Sequence, residues 1–158
     1  MSAGHVAALA GLPRMGPRRL RALLARWSPE QAWDRVRRGV VARDARLLVR
    51  TGPLEAVAAG WSRAAADIDP VAVAQRHRDL GVGIAWEGEP TEAVAGRRSG
   101  TGYPRRLVGD VEPPAVVFWR GDLGLVEHRP LVAVVGTRRC TPTGAAVARD
   151  LGAELARA

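Results

Sequence analysis

Residues 132–144 read VAVVGTRRCTPTG, and the fold turns on how this stretch is interpreted. The run Val132–Val135 is apolar without alternation, the pattern of a strand covered on both faces. Thr141 followed by Pro142 is a helix start, with threonine as cap and proline at the first helical position. A strand that passes through a glycine into a helix N-terminus is how many α/β proteins bring backbone N–H groups to a phosphate. Gly136 permits close backbone approach, Thr137 offers a hydroxyl, and Arg138 and Arg139 supply forked cations. The helix start at Thr141 adds its dipole. The spacing matches neither the dinucleotide fingerprint nor a P-loop with its lysine, which argues against a nucleoside triphosphatase. The set suits an isolated or backbone phosphate; the alternative is a tight turn with surface arginines.

Working outward, "VGIAW" at 82–86 and Ala115–Trp119 read as two further strands, with LVAVVG (131–136) as the third and Thr141–Ala156 as the last helix. Asp69 and Pro70 cap a helix that stops at Gly81. Residues 87–102 are polar and glycine-rich and read as a loop, followed by a Tyr-Pro turn and a Pro-Pro break. Apolar, non-alternating strands between helices predict an α/β sheet that is parallel in its core.

The first third is helical in pattern. Leu20, Leu23, Leu24 and Trp27 fall on one apolar face, while Arg18, Arg19, Arg21 and Arg26 lie mostly off it. Ser28, Pro29 and Gln31 form a capping box ahead of a helix that Gly39 ends. Further helices are expected at 44–49 and 54–65, closing an all-α module near Asp67. Within it, GLPRMGPRRLRALL (11–24) resembles a helix-hairpin-helix, a motif in which turn amides and a basic helix start face a DNA phosphate. Arg14, Gly16, Arg18 and Arg19 would make that contact, although Arg14 stands where the motif has glycine. The competing reading is a helical bundle in which Gly16 only turns the chain.

Composition narrows the function. No window approaches the roughly 18 uninterrupted apolar residues of a membrane span, and the start has no basic region typical of a signal peptide. A cytoplasmic protein without membrane association is expected. One cysteine, Cys140, and three scattered histidines suggest neither a disulfide nor a metal site. All 24 basic residues are arginine, a bias that fits a GC-rich genome, so the net charge of +8 weighs less than its distribution. Residues 1–50 carry eleven arginines against three acids, whereas residues 51–158 carry thirteen of each. That asymmetry is expected of a segment that meets a phosphate backbone.

Three pieces in order, GYPRRL, EPPAVVFWRGD and VAVVGTRRCTPTG with AAVARDLGAELA, resemble the DNA-processing protein A (DprA/Smf) family. The resemblance implies an N-terminal helical (helix-hairpin-helix or SAM-like) module over 1–67 and the first part of a Rossmann-like sheet over 68–158. It implies a non-enzymatic protein without cofactor that binds single-stranded DNA, forms a homodimer through the Rossmann-like domain and loads the RecA recombinase during natural transformation. Gly136, Thr137 and Arg138, with Arg139 beside them, would contribute to the DNA pocket. Cys140 stands where the family has a small residue, and Thr143 replaces its common aromatic. Because the family's sheet continues beyond the part present here, a partial member lacking the dimer surface, with a free strand edge, is expected. The rival readings are a phosphoribohydrolase-type nucleotide enzyme, whose Pro-Gly-Gly-x-Gly-Thr motif does not occur, and an inactive protein-binding remnant.

Overall fold

A computed structural model of the chain describes residues 2–43, 55–88, 102–127, 130–137 and 139–157. The expected helix at 44–49, most of the expected loop at 87–102, and Arg138 lie outside the described residues. Residues 1–127 form one unit and residues 128–158 a second. Among the described residues there are six α-helices: α1 (Ser2–Ala10), α2 (Pro17–Leu24), α3 (Pro29–Arg37), α4 (Glu55–Ala65), α5 (Pro70–Asp79) and α6 (Pro142–Leu155). None of them is long and apolar enough to cross a membrane.

Helix starts follow their local chemistry. The Ser28 hydroxyl accepts from the Gln31 N–H at 3.3 Å while the Gln31 side chain accepts from the Ser28 N–H, completing the capping box of α3. Asp69 caps α5 by accepting from Val71 N–H at 2.9 Å. Thr141 caps α6 by accepting from Gly144 N–H at 3.1 Å. Each cap satisfies a backbone donor that the helix leaves without an internal partner.

In the first unit α1 packs against α3 and α5, and α3 against α4. Leu9, Leu23, Val36, Val41 and Trp61 are fully buried, and Leu20 is nearly so. Leu20 and Leu23 thus face the core as their spacing predicts, with Leu24 and Trp27 half-buried at its margin. Burial of each large side chain contributes about 1.5–3 kcal/mol. Two helices meet closely at Gly4, where an added Cβ would collide with the Pro70 carbonyl and lie 2.9 Å from the Ala74 Cβ.

Between α1 and α2 the chain reverses over Gly11–Gly16. Arg14 adopts φ +59°, the left-handed region that a non-glycine residue enters at a cost of about 1–2 kcal/mol. Three interactions hold it there. Met15 N–H bonds to the Leu12 carbonyl at 3.0 Å, and Gly16 N–H to the Arg14 carbonyl at 3.0 Å. Beneath them the buried Trp61 indole N–H donates to the Pro13 carbonyl at 2.8 Å.

The sheet corrects the sequence reading. Strands β1 (Gly83–Trp86) and β2 (Val116–Trp119) pair antiparallel, with Gly83 opposite Trp119 and Trp86 opposite Val116. Apolar runs without alternation do not encode strand direction. The described part of the connection from β1 to β2 holds only a 3-10 turn at Arg105–Leu107. The expected third strand at 131–136 is not a strand: residues 131–137 have no ladder partner among the described residues, and Leu131, Val132, Val134 and Val135 are exposed. A valine-rich run becomes a strand only beside another backbone that exchanges hydrogen bonds with it. The parallel core is therefore absent from the described residues.

Two stability predictions follow from close approach and from backbone conformation. A helical Gly→Ala change ordinarily stabilises by up to about 1 kcal/mol, but Gly4→Ala is expected to lower the thermal midpoint, because overpacking costs about 1–3 kcal/mol. At Arg14, chemical denaturation should show Arg14→Val losing at least about 1 kcal/mol relative to Arg14→Gly, since a β-branched residue tolerates positive φ least.

Candidate nucleic-acid interface

Helix α2 turns Arg18 and Arg21 away from the buried Leu20 and Leu23, with the half-buried Arg19 at the edge of the apolar face. Arg18, Arg19 and Arg21, with Gly16 and Pro17, line one side of a cavity of about 690 Å³, and Glu112, Pro113 and Pro114 line the other. The three arginines are held differently. Arg18 reaches Glu112 at 3.2 Å, with the two side chains 83% and 74% exposed. An ion pair that open to water contributes little. Arg19 donates from Nη1 to the Arg14 carbonyl at 2.8 Å, while its Nε is buried with no hydrogen-bond partner among the described residues. Arg21 donates from Nε to Glu87 at 2.8 Å and from Nη2 to the Pro113 carbonyl.

The opposite wall is set by tyrosine. Tyr103 donates its hydroxyl to the Pro114 carbonyl at 2.7 Å. Burial raises the phenol above its ordinary range, the charges of Glu87 and Asp110 raise it further, and Arg21 opposes them. The phenol therefore keeps its proton and remains a donor. The Tyr-Pro and Pro-Pro pieces of the sequence thus meet in space. Just beyond, Arg105 N–H bonds to Glu127 at 2.6 Å and Arg106 donates to the Val126 carbonyl at 3.2 Å.

Of the residues singled out at the hairpin, Gly16, Arg18 and Arg19 come together at this cavity. Arg14 is exposed on the turn, and its carbonyl carries Arg19. The turn amides of Met15 and Gly16 are spent inside the turn, so side chains rather than these amides face the cavity. Sequence reading did not assign Arg21, Glu112, Pro113 or Pro114 to a site. A signal for the last two exists: consecutive prolines donate no N–H to a ladder, so their carbonyls look elsewhere for donors.

In the second unit Gly136, Thr137, Arg139 and Thr141 are all exposed. Nothing lies within 4 Å of where a Cβ on Gly136 would stand. The Thr137 hydroxyl accepts from Arg139 N–H at 3.2 Å, and the Thr141 hydroxyl is the cap of α6. Each hydroxyl uses its oxygen as acceptor and retains its own proton to give to an anion. Cys140 is an exposed free thiol.

No curated protein and no solved structure matches the chain. Residues 97–158, which contain Tyr103, the Pro113–Pro114 pair and Gly136, match the model of the family described as DNA recombination-mediator protein A.

Proposed function

We propose that the protein is a cytoplasmic, non-enzymatic binder of single-stranded DNA in DNA processing and recombination, of the kind that delivers a strand to the RecA recombinase. The observation that carries the reading is the cavity beside α2 that Arg18, Arg19 and Arg21 line together. Arg18 can exchange its exposed Glu112 partner for a phosphate at little loss, because each guanidinium–phosphate contact releases counterions. The match of residues 97–158 to the recombination-mediator family supports the same chemistry, as does the charge surplus confined to residues 1–50. In the second unit the Thr137 and Thr141 hydroxyls with Arg139 offer a further phosphate seat.

Fluorescence anisotropy with a labelled oligodeoxythymidylate tests this. Affinity should fall linearly on a log–log plot against salt, with a slope of about 0.7 for each phosphate neutralised. Arg18→Ala should reduce that slope by about one such increment and weaken binding several-fold. Arg138→Ala should weaken binding to all base compositions equally. Binding of the parent chain that ignores salt, or equal affinity of both variants and the parent, would remove the reading.

A further inference from the structure

Among the described residues that line the arginine cavity, Glu112 is the one acid. Its neighbours in the chain fix where it stands. Pro113 and Pro114 follow it, and each proline ring sets its own φ and confines the residue before it to extended conformations. The two proline carbonyls are held by different donors: Arg21 Nη2 bonds to that of Pro113, and the Tyr103 hydroxyl to that of Pro114 at 2.7 Å. The backbone that carries Glu112 therefore has little freedom to move its carboxylate away from α2.

That carboxylate accepts from Arg18 Nη2 at 3.2 Å, and both side chains are well exposed. A pair so open adds little to the fold, and the bonds of Arg21 and Tyr103 to the wall do not pass through it. What the contact does change is Arg18. A carboxylate and a phosphate offer a guanidinium the same kind of paired anionic oxygens, so Glu112 takes a donor that a phosphate would use. The other two arginines are engaged in contacts that hold the structure. Arg21 bonds to Glu87 and Pro113, and Arg19 Nη1 to the Arg14 carbonyl. Arg18 is thus the cation of the cavity with an exchangeable partner.

We propose that Glu112 is a built-in competitor of the phosphate. It occupies Arg18 in the free protein, is displaced when a strand binds, and so attenuates affinity for single-stranded DNA. The inference rests on the single-stranded DNA reading and adds to it the regulation of that site. Salt screens contacts between exposed charges, so the competition counts most at low ionic strength.

Fluorescence anisotropy on the full chain, with a short labelled oligodeoxythymidylate, compares the parent with Glu112→Gln, which keeps the side chain's shape and removes its charge. The variant should bind about two- to fivefold tighter at low salt, the range that the strength of an exposed ion pair allows. That gain should shrink as salt is raised. Asp67→Asn removes the same charge from an exposed residue that does not line the cavity, and should stay near the parent. In an Arg18→Ala background the gain from Glu112→Gln should fall to that of Asp67→Asn. Unchanged or weaker binding by Glu112→Gln, an equal gain in Asp67→Asn, or a gain that survives the loss of Arg18 would overturn the competition and leave salt-dependent binding standing. Failure of the parent chain to bind the strand would overturn both readings.

Discussion

Helix α2 is oriented by the guanidinium of Arg21, whose Nε is bonded to Glu87 just past β1 and whose Nη2 is bonded to the Pro113 carbonyl just before β2. These partners lie 66 and 92 residues away in sequence, so one side chain gathers the helical hairpin, the end of β1 and the Pro-Pro segment. The pair is 29% and 37% exposed, less screened than the open Arg18–Glu112 pair. An ammonium could neutralise Glu87, but the planar fork of arginine addresses a carboxylate and a carbonyl at once. Arg18 lies three residues earlier on the same helix face. With Arg21 aimed at Pro113, Arg18 comes beside Glu112, and the cavity between them is a consequence of that single clamp.

What was legible in the sequence was local. The Ser28–Gln31 box, the Asp69–Pro70 start and the Thr141–Pro142 start each depend on residues within four positions, and each is realised. The Leu20 and Leu23 face was legible because helical period alone places it. Strand pairing was not. Val132–Val135 has the composition of a covered strand, yet composition names no partner, and in the described residues none is supplied. The direction of β1 against β2 was hidden for the same reason, since neither run names it. Arg21 escaped notice because its acceptors are a distant carboxylate and a carbonyl, and a carbonyl has no sequence signature except where prolines expose it.

At the hairpin, structure and binding draw on the same residues. Arg14 carries positive φ where glycine would relax, and its carbonyl takes both the Gly16 N–H and the Arg19 Nη1. Arg19 thus stabilises the turn through its Nη1, while its Nε is buried without a partner among the described residues. The indole N–H of Trp61 on the Pro13 carbonyl ties this turn to the core, so the cavity rim is set by the interior of the helical module.

The absence of lysine, whatever its genomic origin, changes what the basic third of the chain can do. Every cation in it is a guanidinium, weakly hydrated, permanently charged and planar. Among the described acids of that third, Glu30 is engaged by Ser2 and Ser28, and Asp34 lies 3.0 Å from Arg38 on its own helix. The surplus of positive charge is therefore not cancelled where α2 and α3 meet. Arg35 over Trp27 illustrates the difference that planarity makes. An ammonium over the same ring would contribute a point charge, whereas a planar guanidinium can also stack on it.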